Sequence, residues 1–188
     1  MDWTHWDAWN TSALARTYRT AEPIAHVAID SLVSDRALGA LRFAVTAEPH
    51  TPFHSVTHRV AASAEVATHP VLRRFFARLG SDEVLADIRA VTGEDVATLR
   101  AQTWVLEAGD SVAPHRTDAR VAAMLALSVP GAGEGGVLIL QADSSVGGAV
   151  QHDLQSNQLV LIDQTGSARH GISAVTSGSR ILIVGYYS

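Results

Sequence analysis

In "GDSVAPHRTDARV", residues 109–121, an imidazole and a carboxylate, His115 and Asp118, stand close enough along the chain to bind one metal ion. A second imidazole, His170, follows in "SARHGISAV", and Arg180 lies ten residues beyond it at the head of "RILIVGYYS". Two imidazoles and one carboxylate on one face of an octahedral metal leave three positions open, which suits ferrous iron taking a cosubstrate and dioxygen. An arginine opening the strand after the distal histidine can hold one carboxylate of a diacid in a bidentate fork while the other end chelates the metal. The spacing of the first pair raises a question. Two ligands on one face of an extended strand are two positions apart, whereas His115 and Asp118 are three apart, with Thr117 in the nearer slot. A one-residue bulge or tight turn would re-aim Asp118 at the metal. Otherwise Thr117 fills the slot and no carboxylate does. We favour Asp118.

Composition narrows the chemistry further. All 14 basic residues are arginine, which removes Schiff bases and lysine general bases from consideration. With no cysteine there is no thiolate nucleophile or thiolate metal site, so a metal must be held by histidine and carboxylate. A formal charge of −5 without a basic cluster argues against nucleic acid or an anionic membrane as a partner. No basic segment precedes an apolar run at the start, and nowhere do eighteen apolar residues run together, so a cytoplasmic protein is expected. The 188 residues contain no linker-like stretch, and a single domain is expected over 1–188. Residues 1–93 read as mainly helical support and substrate region, and 94–188 as a β-barrel core.

The elements that must position these side chains follow from periodicity. Apolar and aromatic spacing from Trp3 to Tyr18 predicts an amphipathic helix with Trp3, Trp6 and Trp9 partly buried. "PIAHVAID" (23–30) predicts a strand, and Ser34-Asp35 then caps a helix over "RALGALRFAV". "FHSVTHRV" (53–60) reads as a strand or edge segment, while "HPVLRRFFARLG" and "SDEVLADIRAVTG" are helices ending at Gly80 and Gly93. After Glu94 seven short β-type runs are separated by Gly, Asp, Asn and Ser. Helices first and strands later give an α+β fold, the helices buttressing one outer face of a double sheet.

The order "AGDSVAPH…D", "EGGVLIL" with Gly135 and Gly136, "NQLVLID" and "RHGISAVTSGSR" resembles the iron(II)/2-oxoglutarate dioxygenases, in particular their prolyl-4-hydroxylase-like branch, over most of the chain. The resemblance implies a double-stranded β-helix (a jelly-roll, cupin-like barrel) holding Fe(II) by His115, Asp118 and His170, with Arg180 on the distal carboxylate of 2-oxoglutarate. It implies consumption of O2 and 2-oxoglutarate, release of succinate and carbon dioxide, and oxidation of a substrate C–H bond, hydroxylation being the default. A small molecule is the expected substrate, with a peptide side chain next.

His54, His58 and Arg59 fall in a segment that often contributes to the substrate pocket in that family. Arg116 and Arg120 flank the proposed site, where they bind an anionic substrate or sit solvated on the rim. Trp104 lines the pocket or fills the core. The family pattern is His-x-Asp, and this chain departs from it. With Thr117 in the carboxylate slot, a halide could take the vacant position, as in the radical halogenases of the superfamily. A third reading is a cupin-like barrel that binds a ligand without turnover. His50, His54 and His58 are spaced by four, but Pro49 and Pro52 argue against a helix that would align them. His152-Asp153 carries no assignment, and Asp163 is the internal carboxylate expected to compete for Arg180.

Overall fold

The computed structural model describes residues 9–128, 133–142 and 148–188, so the predicted packing of Trp3 and Trp6 lies outside the described residues. Helix α1 (Thr11–Thr20) starts at Asn10, whose side-chain oxygen accepts from the Ala13 amide. Strand β1 (His26–Ile29) precedes α2 (Asp35–Ala47), capped by Ser34 as its sequence predicts. The expected strand at 53–60 is instead a hairpin of β2 (Thr51–His54) and β3 (His58–Ala62), turned where Ser55 N donates to His58 O. Helix α3 (Pro70–Leu79) opens with the proline whose missing N–H costs nothing there, and α4 (Asp82–Thr92) closes on Gly93 at φ 78°.

The β half contains β4 (Leu99–Glu107), β5 (Ser111–His115), β6 (Val121–Ala126), β7 (Gly133–Gly135), β8 (Leu138–Ala142), β9 (Val150–His152), β10 (Leu159–Asp163), β11 (Ala168–Ile172) and β12 (Val175–Tyr187). These are nine strands where seven runs are predicted. The additional ones are β5, which carries Pro114, a residue that argues against a strand interior, and the three-residue β7. Pairing is nested from the outside in: β4 with β12, β5 with β11, β6 with β10 and β8 with β9, all antiparallel. This is a double-stranded β-helix, a jelly roll in which a long hairpin is wound into a barrel.

Alternation along the strands separates two cores. Val121, Ala123 and Leu125 of β6, Leu159 and Leu161 of β10, and Ile183 of β12 face the helices and bury against Leu41, Phe75 and Ile88. The intervening Met124, Val160, Leu182 and Val184 face the barrel interior with Trp104, Leu106, Leu138 and Leu140. Burying both faces explains why these strands read as near-continuous apolar runs. Arg42 locks the helical layer to the barrel, its Nε donating to Leu127 O at 2.6 Å and its Nη2 to Ser128 O and Ser156 Oγ. No helix among the described residues is long and apolar enough to cross a membrane.

Candidate metal centre

His115 and His170 are direct register partners across β5 and β11, with ring centroids 4.7 Å apart. Their meeting depends on an irregularity. From His170 to Ile172 β11 advances two residues, while β5 runs from His115 to Val112, so β5 carries one extra residue. Strict alternation from the inward-facing Val112 would put Pro114, not His115, on the inner face; the bulge turns His115 inward. This bulge lies ahead of His115 and re-aims the imidazole; it is not the one expected between His115 and Asp118 to re-aim the carboxylate. Gly171 makes it possible. A Cβ there would meet Val112 O at 2.5 Å and Pro114 N at 2.7 Å, so only glycine lets β11 pass this close to the bulge.

Hydrogen bonds fix both rings in one tautomer. His115 Nδ1–H donates to Ala113 O at 3.1 Å, and His170 Nδ1–H donates to Gln164 Oε1 at 2.9 Å. The orientation of the Gln164 amide is settled by its Nε2, which donates to Asp163 O at 2.8 Å. In both rings the lone pair is left on Nε2. That of His170 is buried without a hydrogen-bond partner among the described residues. Outer-sphere acceptors on Nδ1–H are the usual support of metal-ligating imidazoles.

Burial disfavours the charged form of both rings. The His170 pKa is pushed down to about 3 by desolvation, with the neighbouring His115 acting in the same direction. His115 is also lowered, chiefly by burial and against the pull of Ala113 O. Because the unfolded chain takes up a proton near 6.5 and folded His170 does not, the unfolded state binds more protons below that pH, and metal-free stability falls as pH drops from about 6.5 toward 3. The His170 contribution is at most about 1.4 kcal/mol per pH unit. Denaturant unfolding at pH 7 and pH 5 should show a steeper loss for the parent than for His170→Phe, and equal slopes would contradict a neutral buried His170.

The other predicted site residues divide. Asp118 does not join the imidazoles: its side chain is 81% exposed and bonds Arg100 of β4 at 2.5 Å. Thr117 Oγ1 donates at 3.3 Å to the same Gln164 oxygen that holds His170. Among the described residues no group of three His, Cys, Asp or Glu side chains is arranged to hold a metal. His58 stacks edge-on against His115 at 4.9 Å between centroids, but His54 is exposed on β2. Arg59 pairs with Asp110 and Arg120 with Glu94. Arg180 donates from Nε to Gly135 O at 2.9 Å, and among the described residues it pairs with the Asp153 carboxylate at 4.0 Å and not with Asp163. Gly136, at φ 64°, makes room for it, since a Cβ there would sit 2.6 Å from Arg180 Cγ. Of the remaining histidines, His50 bonds Thr103 Oγ1 and His152 bonds Gln158 Oε1.

Two recesses share Gln102 in their walls. One, of about 510 Å³, reaches His115 and His58 and includes Trp104, which therefore contributes both to the barrel core and to a cavity wall. The other, of about 350 Å³, is bordered by Arg100, Arg116, Thr117, Asp118 and Tyr186. Gln164, which sequence reasoning missed, had one available signal: it follows the apolar run "QLVLID" and stands six residues before His170, across the turn that joins β10 to β11.

No protein-family model matches the chain, and no curated protein matches it. Solved structures do. An oxidoreductase of the 2OG-Fe(II) oxygenase family from Burkholderia pseudomallei aligns over 96% of this chain and 91% of its own at a TM-score of 0.76 and 13% identity. A Pseudomonas putida prolyl-4-hydroxylase covers 93% and 97% at 0.70 and 15% identity. SnoK, a non-heme alpha ketoglutarate dependent carbocyclase from nogalamycin biosynthesis, covers 93% and 82% at 0.67 and 16% identity. At these identities the likeness concerns architecture, and this chain has the double-stranded β-helix fold of the 2OG-Fe(II) oxygenases and of the prolyl-4-hydroxylases among them.

Proposed function

We propose that the protein is an iron(II)- and 2-oxoglutarate-dependent oxygenase that oxidises a C–H bond of a small molecule. The observation that carries the proposal is the His115–His170 pair, with both Nδ1–H groups engaged and the His170 Nε2 buried without a partner among the described residues. An unsatisfied buried polar atom costs about 1–3 kcal/mol, and a divalent cation bound through Nε2 removes that cost. In this reading His115 and His170 hold the iron and Arg180 grips the distal carboxylate of 2-oxoglutarate. When bound, iron and 2-oxoglutarate supply the oxidising power, dioxygen and 2-oxoglutarate being converted to succinate and carbon dioxide as the substrate is oxidised. The chain's part is to fix the two lone pairs, to orient the diacid and to keep bulk water from the reacting carbon. Aerobic incubation with ferrous ion, 2-oxoglutarate and candidate substrates tests it through succinate. Absence of succinate under every condition would leave the cupin-like binding barrel.

Arg180→Ala is expected to raise the 2-oxoglutarate concentration at half-saturation by about 10- to 100-fold, the equivalent of one charge-assisted contact. Metal affinity measured by calorimetry should not change. A parental 2-oxoglutarate response would remove Arg180 from this role.

The third ligand admits two readings. An exposed ion pair contributes only about 0–1 kcal/mol. A cation on the imidazoles therefore competes easily for the Asp118 carboxylate now held by Arg100. The second reading is favoured by that same pair and by the Thr117–Gln164 hydrogen bond. It leaves the slot to an exogenous anion such as halide and makes the protein a radical halogenase. Asp118→Ala separates them. Metal affinity falls by about 100-fold if the carboxylate ligates, at the upper end of effects seen for supporting partners, and stays at the parental value if it does not.

A further inference from the structure

His170 can serve as a ligand in only one of its two neutral tautomers. With the proton on Nδ1 the ring offers a lone pair from Nε2, whereas with the proton on Nε2 it presents an N–H and no metal can bind there. Burial alone does not choose between them. The choice falls to whatever faces Nδ1, and that is the side-chain oxygen of Gln164 at 2.9 Å.

The Gln164 amide is in turn fixed by a group without freedom of its own. Its Nε2 faces the Asp163 carbonyl at 2.8 Å, and a carbonyl can only accept, so the NH2 end lies there and Oε1 points at His170. Turned over, the amide would set oxygen against oxygen at Asp163 and an N–H against Nδ1, and His170 would have to carry its proton on Nε2. Thr117 cannot decide the matter, because its hydroxyl, 3.3 Å from the same oxygen, donates or accepts as its neighbour requires. The backbone anchors Gln164 as well: its N–H donates to Arg120 O at 2.9 Å, and in the turn after β10 Thr165 N donates to Asp163 Oδ1 at 2.7 Å. The residue is 3% exposed. Packing would be served equally by either tautomer, since Nε2 is buried without a partner among the described residues whether or not it carries the proton. Only a cation requires the tautomer that Gln164 selects.

We propose that Gln164 is a positioning residue of the metal centre. Oriented by Asp163 O, it selects the His170 tautomer that presents Nε2, and through Thr117 it ties the segment after His115 to the same oxygen. The inference rests on the reading of His115 and His170 as metal ligands.

Proton–nitrogen correlation spectra of the histidine rings in the metal-free full chain test it, together with calorimetric titration of manganous and cobaltous ion. The parent should show His170 protonated on Nδ1. In Gln164→Leu, which cannot accept, the ring should lose that preference and metal affinity should fall by about 10- to 100-fold. Gln164→Asn, one methylene too short to reach Nδ1, should do the same, and it carries the test if the leucine variant does not fold. Gln164→Glu still accepts, so it should bind metal at least as tightly as the parent. A merely structural Gln164 would show itself as a lowered melting temperature in the leucine and asparagine variants with parental tautomer and parental metal affinity, and that result overturns the proposal. So does a parent ring protonated on Nε2, or a loss in Gln164→Glu equal to that in Gln164→Leu. Because these readouts need no turnover, a missing succinate signal would count against the oxygenase reading alone.

Discussion

Replacing His170 with leucine is expected to yield a folded barrel that no longer takes up divalent metal. Loss of a supporting partner to a metal-bound imidazole costs 10- to 100-fold in affinity, so loss of one of two imidazoles should exceed about 100-fold. Stability should move the other way. His170 is fully buried, and its Nε2 lacks a partner among the described residues, so leucine of comparable volume removes a penalty of about 1–3 kcal/mol. Gln164 keeps the Thr117 hydroxyl as a donor to its oxygen, so no new orphan is created there. Metal titration by calorimetry beside thermal unfolding of metal-free protein gives both answers. Parental metal affinity would mean that the imidazole pair is packing and not a ligand set.

The second large effect is expected from one methyl group. In Gly171→Ala the added carbon would lie 2.5 Å from Val112 O, 2.7 Å from Pro114 N and 2.9 Å from Ala113 C, all of them backbone. A side-chain rotation cannot relieve that contact, so β5 must retreat from β11. Overpacking of this kind costs about 1–3 kcal/mol. At about 2–4 °C per kcal/mol for a chain of this size, the melting temperature should fall by several degrees. Metal affinity should fall too, because the strand that retreats carries His115. An unchanged melting temperature and unchanged metal binding together would show that the bulge is not clamped as described.

Much of this architecture can be read from the sequence where the signal is local. Ser34 caps α2, Gly80 and Gly93 close α3 and α4, and the apolar runs after Glu94 become barrel strands. Strand β5 escapes because Gly109 and Asp110 precede it and Pro114 interrupts it, while its pairing with β11 involves residues far along the chain. The direction of Asp118 is illegible for a related reason. It meets Arg100, eighteen positions earlier, which the antiparallel partnership of β4 with β12 brings to that edge. Gln164 looks like an ordinary polar residue after a strand until the turn into β11 folds it under His170. What periodicity conveys is which face a residue occupies. Which side chain across the barrel answers it depends on register, and here on one extra residue in β5.

The nested pairing of strands also bears on kinetics. Within the nested set, β8 and β9 pair as near neighbours, whereas β6 with β10, β5 with β11 and β4 with β12 join segments progressively farther apart. Closing such loops before their contacts form places the chain among high-contact-order folds, which fold in milliseconds to seconds rather than microseconds. The two imidazoles lie on the next-to-outermost pair, so they meet only when folding is nearly complete. During refolding, metal uptake should thus lag behind the formation of helices and track the last, slowest phase.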